Sequence, residues 1–267
     1  MESATAVQTI SSWNDTLNLP ASSETLNMLL SGTIAGLCVP QFLTLAECSA
    51  LADNAREYEF NRYLNVVPRI DKVGITVFEF DQIGKSKYFE GVDAANRSIS
   101  RITNGICSPL QRVLDWLSAL APHCTVGVAN EPGYGAYFAG LLRRIEEGTL
   151  VHVDFAPMEQ PGWSVAQVCS QLTFNLYLET PDRDPGVVCV WQKQLQPEHQ
   201  IYKLGGSYGY DPAVVADAAC ATITPQTGML MVINTRNFHQ VSPAAGYRLA
   251  FSAAVGQLPN KDLVLWS

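Results

Sequence analysis

The pattern of apolar and polar positions changes character partway along the chain. In the first part apolar residues recur at threes and fours. The stretch "TLAECSALADNAREY" sets Thr44 and Glu47 at capping-box spacing and puts Leu45, Cys48, Leu51, Ala52 and Ala55 on one face, which predicts a helix over 44–58. Ile102, Ile106, Leu110, Val113, Leu114 and Leu117 repeat in the same way and predict helix between about 97 and 120, with Pro109 starting a second segment. Between these, "VGITVFEF" (73–80) alternates like a strand, and "FDQIGKSKYFEG" after it reads as an exposed loop. From about residue 125 the apolar runs become short, β-branched and aromatic, separated by Gly, Pro and Asp, as in an all-β sandwich or barrel. Strands are predicted over 136–145, 149–155, 169–179, 186–192, 221–224, 228–234 and 246–256. The stretch 194–220 is too long for a hairpin turn and reads as a lid or binding loop, and residues 1–20 read as a weakly patterned polar arm. The expected organisation is one domain over 1–267, with helical support and a lid region over 1–124 and a β-core over 125–267.

Composition narrows the partners. The chain has 267 residues, 47% of them hydrophobic, enough for a sizeable core. Its net charge of −8 repels polyanions, which argues against nucleic acid. The longest apolar runs, such as Gly228 to Ile233, fall far short of the roughly 20 residues a membrane span needs. The opening "MESATAVQTISSWNDTLNLP" has neither a positive n-region nor an apolar h-region, so a cytoplasmic location is expected. Seven scattered cysteines with no C-x-x-C pair point to reduced thiols, not to a disulfide framework or zinc knuckle.

The chemistry concentrates in "LVHVDFAP", 150–157. In an extended strand His152 and Asp154 point one way, and Val151, Val153 and Phe155 the other. Taken alone, the pair also fits a salt bridge on a strand edge. His239, just beyond the apolar strand of "GMLMVINTRNFHQVSP", adds a second imidazole. Two imidazoles and a carboxylate make the facial triad that suits non-haem Fe(II) and leaves positions for a chelating cosubstrate and dioxygen. A structural zinc site would want four ligands, and no cysteine lies beside either half of this motif. Nine residues on, Arg248 sits on the otherwise apolar strand "GYRLAFSAAVG" and needs a partner, either a bound carboxylate or an internal acid. In "QLTFNLYLE", Gln171, Thr173, Asn175 and Tyr177 share one face, which is either solvated or turned inward. If inward, Asn175 and Tyr177 are the candidates to bind cosubstrate or substrate. By alternation one of Arg143 and Arg144 should point inward; the two readings are a hold on a substrate carboxylate and a solvated strand edge. Phe155 and Trp191 read as packing residues, His123 as a surface or capping histidine. His199 and Arg69 are weaker candidates for the site.

The runs "RRIEEGTLVHVDFAP", "LTFNLYLET", "DPGVVCVW" and "PQTGMLMVINTRNFHQVSPAAGYRLAFSAAVG", in this order over residues 140–256, resemble the Fe(II)/2-oxoglutarate-dependent dioxygenases, in particular their prolyl-hydroxylase-like branch. The resemblance implies a mainly β fold with α: a double-stranded β-helix, the jelly roll shared with cupins, with supporting N-terminal helices. It implies Fe(II) held by His152, Asp154 and His239, 2-oxoglutarate held at its distal carboxylate by Arg248, and dioxygen as oxidant. The implied activity couples 2-oxoglutarate decarboxylation to hydroxylation, desaturation or ring closure. There are two departures. Where some branches carry Arg-x-Ser, Arg248 is followed at that spacing by Ala250, with the first serine at Ser252. A frequent Gly-Gly is here Pro185-Gly186. The expected partner is a small molecule, an amino acid or natural-product intermediate, with a homodimer left open. The competing readings are a cupin-type metal enzyme without 2-oxoglutarate and an inactive jelly-roll binding protein.

Overall fold

The clean alternation of "SQLTFNLYLE" makes it the spine of the molecule, strand Ser170–Glu179. Its apolar face, Leu172, Phe174, Leu176 and Leu178, is fully buried under helices, and its polar face looks across at a second sheet. In the computed structural model, which describes residues 12–64 and 66–267, this strand lies between Leu230–Asn234 and Leu249–Gln257. The main sheet runs Leu37–Val39, Leu230–Asn234, Ser170–Glu179, Leu249–Gln257, Leu141–Arg144, Asp71–Val73, Asn61–Arg62. Leu263–Trp266 extends it along the second half of Leu249–Gln257 and carries Val126–Val128 in parallel on its far side.

The smaller sheet is Cys220–Ile223, Val188–Gln194 and Asn237–Val241. Segment 149–155 lies along its free edge: His152 pairs with His239, Thr149 donates its amide to Val241 (2.8 Å), and Asp154 donates to Thr235 (2.9 Å). Two facing antiparallel sheets of this connectivity form the expected jelly roll. It is an open double sheet and not a closed barrel. Helices Ser23–Leu30, Leu45–Arg56 and Pro109–Leu120 cover the outer face of the main sheet, where Phe174 and Phe251 pack with ring centroids 6.2 Å apart. Burial of each such side chain contributes roughly 1.5–3 kcal/mol.

The helix expected at 44–58 forms as Leu45–Arg56 with the Thr44/Glu47 capping box, although Leu45 itself is exposed. The helical stretch near 97–120 is two helices, Lys85–Thr103 and Pro109–Leu120, the second capped by Ser108 and opened by Pro109. Two expectations fail. The stretch 73–80 is not a strand: pairing ends at Val73, and Thr76, accepting from the Glu79 amide, caps a short helix Val77–Phe80. The supposed loop after it is helical from Lys85, because Tyr88, Val92, Ala95 and Ile102 form a buried stripe beneath its lysines. The polar arm is partly ordered: Trp13 is buried and donates its indole N–H to Val190 (2.9 Å), while residues 1–11 lie outside the described residues. The N-terminal part is also less purely helical than expected, since Leu37–Val39, Asn61–Arg62 and Asp71–Val73 join the main sheet.

Two glycines fix how the sheet edge closes. Gly148, just before the His152 segment, has φ +81°, and a Cβ there would lie 2.6 Å from the Val241 carbonyl. Gly186, the one retained of the expected glycine pair, has φ +71° and meets the Ser242 carbonyl at 2.6 Å. We expect Gly148→Ala to lower unfolding stability by about 1–3 kcal/mol and to weaken metal binding, read by denaturant melts and metal titration. Unchanged values for both would show that the edge tolerates the displacement.

Candidate metal centre and its cavity

His152 and His239 face each other across the edge of the smaller sheet, exchanging amide–carbonyl hydrogen bonds of 2.9 Å in both directions. This register sets their rings 4.1 Å apart, and the alternation of the extended chain brings Asp154 to the same side. One ligand atom from each of His152, Asp154 and His239 lies within 4.8 Å of the others. Leu150 O lies 2.8 Å from His152 Nδ1 and Asn237 O 3.0 Å from His239 Nδ1. A carbonyl can only accept, so each Nδ1 carries a hydrogen, and Nε2 is the ring nitrogen available to a metal.

The charge states suit a cation. Burial and the neighbouring His152 push His239 down to about 4, against the opposing pull of Asp154. The 3.7 Å contact of His239 Nε2 with Asp154 is therefore not a salt bridge at neutral pH. Burial pushes the Asp154 carboxyl up, but the fields of His152, His239 and Arg143 outweigh it and hold the group below its ordinary value. The Asp154 carboxylate and the His152 and His239 imidazoles thus converge, a donor set that fits a divalent transition metal.

Between the sheets lies a cavity lined by the triad and by Gln171, Thr173, Asn175 and Tyr177, so the polar face of that strand is turned inward. Arg248 reaches into it from the main sheet. It is 4% exposed, donates from Nη2 to the Tyr177 hydroxyl (3.2 Å) and lies 5.3 Å over that ring. Its Nη1 is buried with no hydrogen-bond partner. An uncompensated buried guanidinium costs several kcal/mol, so the position is suited to an incoming anion. Ser252 donates to the Leu141 carbonyl (3.4 Å), and the hydroxyl beside Arg248 belongs to Tyr177.

Alternation separates the two arginines. Arg144 turns out to an ion pair with Asp71, whereas Arg143 lines the cavity with its Nε buried and unpartnered. Phe155 packs under Arg236, 5.2 Å from its ring, and Trp191 packs against the cluster of Val151, Val153 and Phe238. His199 caps a turn by accepting from the Gln196 amide (3.0 Å), His123 is on the surface, and Arg69 pairs with Asp71 at 2.8 Å. None of these three lines the cavity. Among the lining residues that escaped sequence reasoning are Tyr208 and Glu159. Tyr208, from the long 194–220 connection, accepts from the Leu150 amide (2.9 Å) and meets the His152 ring edge-on at 5.3 Å. Glu159, pushed up to about 7 by burial and then by Asp154, accepts from the Phe155 amide (3.0 Å). The length of the 194–220 connection was the local signal for Tyr208, and Glu159 carried none. The N-terminal part roofs the cavity with Tyr63, Val66, Ile70, Thr76, Val77 and Phe78.

A jelly roll with a His–Asp–His cluster at the sheet edge and a buried arginine in the same cavity is the architecture of a non-haem iron oxygenase of the 2-oxoglutarate-dependent kind. More narrowly, residues 15–256 match the family described as "Carrier-protein-independent halogenase WelO5", and the chain belongs to that family. It is 34% identical over 216 residues to leucinostatins biosynthesis cluster protein S of Purpureocillium lilacinum, covering 76% of this chain and 87% of that one. It is 32% identical over 188 residues to the L-gamma-glutamyl-L-propargylglycine hydroxylase of Streptantibioticus cattleyicolor, covering 68% of this chain and 66% of that protein. Among solved structures, an N-substituted L-amino acid dioxygenase from Burkholderia ambifaria shares the fold at TM-score 0.62 and 14% identity, covering 92% of this chain and 91% of that one. The expected oxygenase class and jelly-roll fold are borne out. Among the described residues no helix is long and apolar enough to cross a membrane.

His239 makes the metal-free protein acid-sensitive. Its folded value lies below its ordinary 6.5, so the unfolded chain takes up the proton first. The stability it contributes is present above about pH 6.5 and is lost as pH falls toward 4. We expect a loss on the order of 3 kcal/mol over that window, read by denaturant melts, and a ring titration midpoint near 4 by NMR. A midpoint at the ordinary histidine value would contradict the assignment.

Proposed function

We propose that the chain holds Fe(II) through His152, Asp154 and His239, binds 2-oxoglutarate with its distal carboxylate on Arg248 and Tyr177, and oxidises a C–H bond of a small molecule. The observation that carries this is Arg248: a buried guanidinium with an unpartnered Nη1, in the same cavity as the triad. A jelly-roll metal enzyme that does not use 2-oxoglutarate has no need of it, and an inactive binding protein has no need of the triad. Asn175 lies on the same inward face and is assigned to cosubstrate or substrate.

When bound, iron with 2-oxoglutarate and dioxygen supplies the oxidising power. The protein supplies ligands, an anchor for the far carboxylate, and walls that exclude water. Asp154 bears on the outcome. With Asp154 as the third protein donor beside His152 and His239, the positions left on the metal would be filled by a chelating cosubstrate and the oxidant. A halide then has no place, so we assign oxygenation to this chain despite its family's halogenase name. The hydroxylase among its relatives supports the same choice and points to an amino-acid derivative from a natural-product pathway as substrate.

Anaerobic addition of Fe(II) and 2-oxoglutarate should produce a weak visible charge-transfer band, and its absence with metal demonstrably bound would sink the chelate model. Asp154→Ala and His239→Ala should each abolish succinate formation. Arg248→Leu should raise the 2-oxoglutarate requirement about 30-fold or more, the scale of leaving a buried charge without its partner. With L-gamma-glutamyl-L-propargylglycine and N-substituted amino acids as trial substrates in chloride buffer, product masses should show gain of an oxygen or loss of two hydrogens. A chlorinated product would refute the reading of Asp154.

A further inference from the structure

We propose that Arg143 is the docking point for a carboxylate of the substrate, and that the substrate is accordingly a carboxylic acid with an apolar body. This rests on the function proposed above and adds the chemistry of the ligand. Arg143 stands opposite Ala250 on one side and Lys72 on the other, and Ala250 in turn stands opposite Tyr177. It therefore shares the inward face of the main sheet with Tyr177 and Arg248, and the small side chain of Ala250 keeps the space between them open.

The other cations near this part of the sheet are already paired. Arg144 is held by Asp71, and Lys72 Nζ lies 3.0 Å from Glu79. Arg143 has no such acid. Its Nε is buried without a hydrogen-bond partner, and its neighbour is the phenol of Tyr63, which burial pushes up to about 12 and which stays neutral. Asp154 feels the charge of Arg143 but is committed to the metal. Glu159, the remaining carboxyl on the wall, has Asp154 and Lys203 as its charged neighbours.

Charge counting gives the same result. A divalent ion with Asp154 would leave one positive charge, Arg248 adds another, dianionic 2-oxoglutarate would cancel both, and Glu159 and Lys203 are neighbours of opposite sign. The charge of Arg143 is then left over, beside the reacting centre, for one more anion. The N-terminal wall is largely apolar, with Val66, Ile70, Val77 and Phe78 beside Tyr63 and Thr76 in the cavity lining, which suits a substrate with a hydrocarbon body.

The test compares L-amino acids with apolar side chains, their N-acetyl and γ-glutamyl derivatives, and the matching C-terminal primary amides. Binding is followed by saturation-transfer NMR on the zinc-loaded protein, with and without 2-oxoglutarate. Acids should bind about tenfold or more tightly than their amides, the scale of one charge-assisted pair. Arg143→Leu should erase this preference with 2-oxoglutarate affinity unchanged, and Arg143→Lys should restore part of it. Amides that bind as well as acids, or failure of every acid to bind a protein that holds 2-oxoglutarate, would overturn the proposal. So would an Arg143→Leu protein that loses 2-oxoglutarate, because Arg143 would then serve the cosubstrate. If the wild-type protein binds no 2-oxoglutarate, the function above fails, while the acid–amide comparison without cosubstrate still decides the role of Arg143.

Discussion

The backbone pairing of His152 with His239 is the constraint on which the site depends. Two amide–carbonyl bonds lock segment 149–155 onto the edge of the smaller sheet, and the same register sets both rings, their tautomers and the position of Asp154. The carbonyls that orient the rings belong to Leu150 and Asn237, each two residues before its histidine, so side-chain geometry follows directly from strand geometry. Packing holds the arrangement from behind: Val151 and Val153 insert into a cluster with Leu195, Tyr210, Val214 and Phe238. The long 194–220 connection therefore serves the metal centre as a rear support, and through Tyr208 it also reaches the cavity wall.

The interior of the jelly roll is unusual in what it leaves unpaired. Polar groups buried between sheets are normally satisfied within the protein. Here Arg248 and Arg143 each retain a buried nitrogen with no partner, while acids and bases outside the cavity, such as Arg144 with Asp71 and Lys72 with Glu79, are matched. That contrast is the basis for proposing that anions enter the cavity from outside. The one carboxylate beside the two histidines is held below its ordinary value by the fields around it. Membership of a halogenase family does not decide the reaction, because the reaction depends on how many positions the protein itself occupies on the metal. The roof, made by the N-terminal part, decides what else enters.

Much of this was legible in the sequence because it rests on local rules. A period of two places His152 with Asp154 and Asn175 with Tyr177 whatever the surrounding fold, and the Thr44/Glu47 capping box marks a helix start by itself. Local rules failed where tertiary burial overrode composition: lysines around Tyr88 disguised a buried helical stripe, and a short alternating run at 73–80 lost to the cap at Thr76. His239 was expected just past a strand, whereas the chain turns at Thr235–Arg236 and returns as strand Asn237–Val241 with the histidine at its centre.

By itself the sequence singled out His152, Asp154 and His239 as candidates and determined the class of fold and the alternation of faces, because these follow from residue chemistry and the strand period. Only the tertiary structure decided which face of Ser170–Glu179 turned inward, which of Arg143 and Arg144 entered the cavity, and that Tyr177 stands beside Arg248. The physical reason is that alternation defines two sides without saying which is the inside. That choice is made when distant strands pair and one side is closed over by Tyr63, Val77 and Tyr208.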